Sequence, residues 1–332
     1  MLNAEGLLMP TDRDTIFQDG TASLYRFYGD QKPADDAPVV LLVPSLINRW
    51  YVLDLRDGHS LAQALVAAGF DTYCLDWGEP NDEDRYFRWE DAVDRLGRML
   101  RRVKRFAGTD QVGVLGYCVG GTLSSIYAAL HPDEMAALIN LAGPIDFSHA
   151  GDLGRMTDRR WFDAEAIAAA GNVRPEQMQS GFVALRPMGQ ITKWLALAER
   201  GHDPDFFDAF TALDTWANDN VAFPAAAYQT YIEDLYQDNL LIKGEHRVGG
   251  RTVDLSQIRC PTLTVATDRD HICPKPAARA LHDAVSADDK EMFVISGGHV
   301  GAVVGSRGPR KLYPKVVEWF GARLSQVQEE AA

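Results

Sequence analysis

Short apolar runs alternate with amphipathic stretches along the first half of the chain. Pro38-Val-Val-Leu-Leu-Val43 is β-branched, apolar on both sides and closed by Pro44, which predicts a buried strand. Helical spacing over 60–68 ends at Gly69, and a second strand is predicted over 70–75. A long amphipathic helix over 90–106 leads to a strand over 112–117, and a helix over 122–130 leads to a strand over 137–142. Strands separated by helices run parallel, because each crossover helix returns the chain to the same end of the sheet. From about 148 to 250 the rhythm breaks: the segment reads as helices rich in Trp, Phe, Tyr and Met, with no clear strand. It resumes with strands over 262–266 and 291–295 and a last helix over 311–324. The pattern predicts an α/β core with a mostly parallel central sheet flanked by helices. Residues 1–147 form its first part, 148–250 an inserted helical lid, and 251–332 its second part. The polar tail 326–332 is expected to fray.

Composition narrows the class. With 46% hydrophobic and 24% charged residues the chain is neither disordered nor fibrous. Its 33 Lys and Arg against 47 Asp and Glu give a net charge of −14. That argues against a nucleic-acid binder, which needs clustered positive charge. Cys74, Cys118, Cys260 and Cys273 lie far apart with no CxxC pair, so neither a metal site nor a disulfide framework is expected. The first fifteen residues are not read as a signal peptide, and no apolar run approaches the ~18–20 residues of a membrane span. A soluble cytoplasmic protein is expected.

Chemistry concentrates at the predicted strand–helix junction Gly116-Tyr-Cys-Val-Gly-Gly121. A nucleophile on so sharp a turn is forced outward, and the turn tolerates only small neighbours, hence the glycines two before and two after Cys118. The usual elbow carries Ser; this one carries Cys. The Val119 amide, at a helix N-terminus, can face a developing oxyanion. Asp268 and Asp270 follow the 262–266 strand, and His299 follows the 291–295 strand. Nucleophile, acid, histidine is the chain order of α/β-hydrolases. Spacing leaves Asp268 and Asp270 open as the acid, and His271 has either a structural or a substrate-side role. A second oxyanion amide is expected near Leu46 or Ile47. The Arg101, Arg102, Lys104, Arg105 cluster reads as a solvated face, with a phosphate rim as its rival. Trp161, Trp194, Trp216, Phe206 and Phe207 read as lid core, and the other three cysteines as packing residues.

Six segments together resemble the polyhydroxyalkanoate synthase family, especially the short catalytic subunits of its two-component (class III and IV) enzymes. They are Leu46-Ile-Asn-Arg-Trp-Tyr-Val-Leu-Asp-Leu55, Asp71-Thr-Tyr-Cys-Leu-Asp-Trp-Gly78, the Gly116–Gly121 box, Val253-Asp-Leu-Ser-Gln-Ile-Arg-Cys-Pro261, Asp270-His-Ile-Cys-Pro274 and Ser296-Gly-Gly-His-Val300. The resemblance is weak between about 148 and 214. It implies an α/β-hydrolase fold with a Cys118–Asp270–His299 triad and oxyanion amides at Val119 and Ile47. Tyr51, Asn239 and His271 complete the expected site as substrate contacts.

The implied activity is polymerisation of (R)-3-hydroxyacyl groups, short-chain ones such as 3-hydroxybutyryl, from CoA thioesters. No cofactor is implied beyond CoA, which is part of the substrate and a product. The implied partners are the nascent polyester and its granule surface, a helical second synthase subunit and a second copy of the chain. Thioester exchange onto Cys is nearly balanced in free energy, which suits a residue that must hand its acyl group on. Asp270 either orients His299 or helps deprotonate the incoming hydroxyl. Two competing readings use the same residues: a thioesterase or intracellular polyester depolymerase, and a non-catalytic granule scaffold.

Overall fold

The computed structural model describes residues 6–29, 32–185 and 187–324. The tail whose fraying was expected, 326–332, lies outside the described residues. Eight strands form one sheet: β1 (Asp12–Asp19), β2 (Ala22–Tyr28), β3 (Val39–Val43), β4 (Asp71–Asp76), β5 (Val112–Tyr117), β6 (Ala137–Leu141), β7 (Thr262–Thr267) and β8 (Lys290–Ile295). Their spatial order is β1-β2-β4-β3-β5-β6-β7-β8. Strands β3 to β8 pair in parallel, while β1 and β2 add antiparallel at one edge. Every residue of β3, β5, β6 and β7 is buried, which is why β3 and β5 read as runs without charged positions, while β6 buries Asn140 and β7 three threonines.

The helices show the complementary logic. In α2 (Trp89–Ala107), Trp89, Val93, Leu96, Leu100 and Val103 recur at helical spacing and are buried. Glu90 and Asp91 in its first turn and Lys104 and Arg105 in its last oppose the helix dipole, and Gly108 ends it at φ 69°. Helix α3 (Val119–Leu130) is buried on all sides, so it has no polar face. Helices α1 (Leu61–Ala67) and α11 (Tyr313–Leu324) cover the sheet with them.

Between β6 and β7 lie six short helices. They are α4 (Gly151–Met156), α5 (Ala164–Ala169), α6 (Pro175–Leu185), α7 (Pro187–Arg200), α8 (Pro204–Asn218) and α9 (Ala225–Thr230), the last continued by a π-helical turn over Tyr231–Gln237. A small hairpin pairing Arg247–Val248 with Arg251–Thr252 closes the segment, a strand pair that the apolar pattern does not announce. Nor does it announce β1, which is partly exposed and charged, or β2, whose buried positions are interrupted by half-buried ones. The two-residue turn Gly20-Thr21, with Gly20 at φ 62°, is the hairpin signal that marks them. Helix α10 (Lys275–Ala284) likewise lies outside the expected pattern. No helix among the described residues is long and apolar enough to cross a membrane.

Candidate active site

The turn from β5 into α3 holds Cys118 at φ 56°, ψ −127°, a conformation that residues with a side chain rarely adopt. Fixed neighbours hold it there. Its amide donates to Leu141 O at 3.0 Å, and its carbonyl accepts from the amides of Gly121 (2.8 Å) and Thr122 (3.3 Å). The flanking glycines are a steric requirement. A Cβ on Gly116 would stand 2.4 Å from Gly120 O, and one on Gly120 would stand 2.1 Å from Val43 O. Both obstacles are backbone, so no rotamer change relieves them. The box therefore records how closely α3 packs on β3 and β5 while delivering the thiol to the carboxyl edge of the sheet.

Loops after the last two strands bring the partners to that edge. His299 Nδ1 lies 2.8 Å from Asp270 Oδ2. Asp270 Oδ1 accepts from the amides of Ile272 and Cys273, each at 2.8 Å, and Thr267 Oγ1 donates to Oδ2 at 3.1 Å. The His299 ring stacks on Tyr117 with centroids 5.3 Å apart. The carboxylate fixes Nδ1 as the N–H position, which leaves Nε2 for the thiol. Buried Nε2 makes no hydrogen bond among the described residues, and Cys118 and His299 share one cavity wall.

The electrostatics follow from this packing. Burial opposes the charged imidazolium of His299, but the Cys118 sulfur and the Asp270 carboxylate outweigh it and lift the group to about 10. Burial likewise pushes the Asp270 carboxyl up. The imidazole and the two amides more than offset it, so it sits below the ordinary Asp value.

Two cavities meet at the thiol. The larger, about 240 Å³, is lined almost wholly by apolar and aromatic side chains, among them Met178, Phe182, Phe223, Tyr231 and Ile232, with Ile47 and Val119 beside the sulfur. The π-helical turn brings Tyr231 and Tyr236 together with ring centroids 5.3 Å apart, and both line this cavity. The smaller, about 140 Å³, reaches His299 and is bordered by Asn48, Gln179 and Asn220. Phe182 and Ile272 border both. These aromatics were not singled out from sequence, because their approach to Cys118 depends on how the segment between β6 and β7 folds over the sheet.

The structure thus brings Cys118, Asp270, His299, Val119 and Ile47 together. Asp268 instead accepts the Gly297 amide at 2.8 Å and faces Arg269, bracing the turn that carries His299. None of the three expected substrate contacts lines either cavity. Tyr51 donates to Asp219 Oδ2 at 2.7 Å. Asn239 accepts from the Phe147 amide at 2.8 Å and donates to Asp146 at 2.9 Å, tying the insertion's two ends. His271 is exposed. The aromatic group also divides: Trp216 is buried, whereas Trp161 and Trp194 are more than half exposed and do not form a core. Arg101, Lys104 and Arg105 sit at the end of α2, beside the start of β5 and a strand's length from the thiol. Cys74 and Cys273 are fully buried and Cys260 partly so, none of them in a disulfide.

Comparison with known proteins gives the same picture. A family model described as the alpha/beta hydrolase fold matches residues 38–305. The poly(3-hydroxyalkanoate) polymerase subunit PhaC of Haloferax mediterranei is 33% identical over 324 residues, covering 96% of this chain and 66% of the relative. That of Allochromatium vinosum is 30% identical over 327 residues, covering 97% and 92%. That of Synechocystis sp. is 30% identical, covering 94% and 85%. The chain thus spans about two thirds of the length of the haloarchaeal relatives it matches. Among solved structures, a hydrolase from Pseudomonas aeruginosa superposes with TM-score 0.57 at 15% identity, over 93% of this chain and 98% of that one. Est1E from Butyrivibrio proteoclasticus does so with TM-score 0.57 at 15% identity, over 94% and 99%.

Proposed function

The chain belongs to the alpha/beta hydrolase fold family and, within it, to the poly(3-hydroxyalkanoate) polymerase subunits; from that premise we propose that it polymerises (R)-3-hydroxyacyl groups through a thioester on Cys118. The observation that carries this reading is a Cys on a strained elbow, served by a buried His–Asp pair and opening into an apolar cavity.

In the first half-reaction the Cys118 sulfur, its proton held by His299, attacks the acyl-CoA carbonyl. The tetrahedral oxyanion forms toward the Val119 and Ile47 amides, each worth roughly 10²–10³ in rate. The C–S bond to CoA then breaks, and His299 returns the proton to the departing sulfur. In the second half-reaction a hydroxyl of another acyl unit gives its proton to His299 and attacks the Cys118 thioester, releasing the thiol and extending the ester. Once the sulfur is acylated it no longer favours the imidazolium, so the proton affinity of His299 falls, with Asp270 still opposing the effect of burial. The same residue can then serve as a base. Asp270 has both oxygens occupied and is fully buried as a side chain, which favours the orienting role over direct contact with the hydroxyl.

The helical segment 148–250 is proposed as a lid, since Phe182, Tyr231 and Tyr236 border the thiol cavity and would exclude the water that ends a chain. No resident cofactor is proposed, CoA being substrate and product. Short-chain acyl groups, a cytoplasmic granule surface, a helical second subunit and a second copy of the chain complete the proposal.

Purified protein incubated with 3-hydroxybutyryl-CoA, with and without a candidate second subunit, tests it. CoA release, a mass increase on Cys118 and polymer are expected together. Free 3-hydroxy acid in place of polymer would establish a hydrolase.

A further inference from the structure

The loop that carries Ile47 is not held by the sheet alone. Immediately after it, the segment 48–51 is bound to the end of α8 by a compact set of contacts. Asn48 and Asn220 form an antiparallel main-chain bridge, and Asn48 Nδ2 donates to Asn220 Oδ1 at 2.6 Å. Asp219 accepts from Arg49 Nε at 2.9 Å on one oxygen and from the Tyr51 hydroxyl at 2.7 Å on the other. Trp216 Nε1 donates to the Arg49 carbonyl at 3.0 Å. Asn220 is tied in turn to Gln179 of α6 at 3.0 Å. Tyr51, expected as a substrate contact, is a member of this clasp. Asn48, Gln179, Trp216 and Asn220 also border the smaller cavity, which opens on Cys118 and His299.

Partly exposed ion pairs such as Arg49–Asp219 contribute little stability singly. A main-chain bridge and four side-chain hydrogen bonds onto residues 216–220 instead fix geometry, and geometry is what an oxyanion donor requires. We propose that Asp219 and Asn220 are positioning residues: they hold the Ile47 amide in place through the 48–51 loop. Displacing the helical insertion then also dismantles the oxyanion pocket, so the thiol is acyl-transfer competent only while it is covered. This rests on the assignment of Ile47 as an oxyanion donor in the proposed function.

Two reactions of Cys118 separate geometry from access. Alkylation by iodoacetamide needs the thiol and imidazole but develops no oxyanion; acylation by p-nitrophenyl butyrate needs the oxyanion pocket as well. In Asp219→Ala the acylation rate constant at saturating ester is expected to fall at least about tenfold with little change in KM, while alkylation stays within about threefold of wild type. Asp219→Asn, which keeps an acceptor for Tyr51, should recover part of the rate. Tyr51→Phe, which deletes one hydroxyl, should show a smaller loss in the same direction and guards against misfolding of the alanine variant. The proposal is overturned if both reactions slow in parallel, if neither changes, or if alkylation accelerates while acylation holds. A wild type that is acylated by the ester but makes no polymer defeats the polymerase reading and leaves the clasp standing. A wild type that is alkylated but acylated by neither ester nor CoA thioester overturns both.

Discussion

Replacing Asp270 by Asn changes one atom in the centre of the site. Oδ1 keeps its two main-chain donors at 2.8 Å, so the loop has no reason to move. The other position, now an NH2 group, meets Thr267 Oγ1, which can turn to accept, and His299 Nδ1 at 2.8 Å. Two N–H donors cannot share that contact. His299 must present a bare Nδ1 to the new amide and place its proton on Nε2, where it meets the thiol as a donor and cannot take its proton. The wrong-tautomer penalty in such triads is roughly 10³–10⁴ in turnover, about 4–5 kcal/mol of barrier. Single-turnover acylation by 3-hydroxybutyryl-CoA measures it, with the imidazole ring nitrogens followed by NMR and the fold by circular dichroism. The pH signs are defined. Asp270 is depressed in the fold, so its stabilisation is present above the ordinary Asp range and fades as pH falls through its folded value. His299 is raised to about 10, so its stabilisation is complete below pH ~6.5 and fades as pH rises through that value. The wild type should therefore exceed the Asn variant in thermal stability across neutral pH, with the gap closing at both extremes. An Asn variant that acylates within threefold of wild type, or whose His299 titrates as in wild type, would refute the orienting role.

Cys118→Ala should abolish the acyl-enzyme mass shift and lower the His299 titration point, because the sulfur that favours the imidazolium is gone; Cys118→Ser should fold and turn over poorly. Gly120→Ala would drive a methyl against the carbonyls of Val43 and Pro44, and a loss of roughly 1–3 kcal/mol or more in denaturant unfolding is expected. Gly181 lines the larger cavity and has open space at its Cβ position. Gly181→Leu should leave or raise helix stability while increasing KM for 3-hydroxyhexanoyl-CoA more than for the 3-hydroxybutyryl thioester.

The parallel core was legible because burial on both faces leaves its mark in one dimension. The runs at 39–43 and 112–117 carry no charged residue at any register position, and at 262–267 Leu263, Val265 and Ala266 are joined by buried threonines. The elbow was legible for a related reason: only glycine survives where α3 meets the ends of β3 and β5, so the packing is written as spacing. Chain order then carried the acid and the histidine to the correct strand ends, though only the motif resemblance separated Asp270 from Asp268. In the fold that distinction is plain, since one carboxylate points at the imidazole and the other at the Gly297 amide. Edge strand β1, partly exposed and charged, and its neighbour β2, buried only at Ala22, Leu24 and Phe27, lacked the signature that full burial imposes. The placements that the sequence did not reveal, those of Tyr51, Asn239 and the exposed Trp161 and Trp194, share one cause. What a side chain of the insertion or of the 48–51 loop touches depends on which distant segment folds against it, and Asn48 meets Asn220 across 172 positions of chain. Local periodicity records burial and backbone strain; it carries no information about pairings closed over such separations.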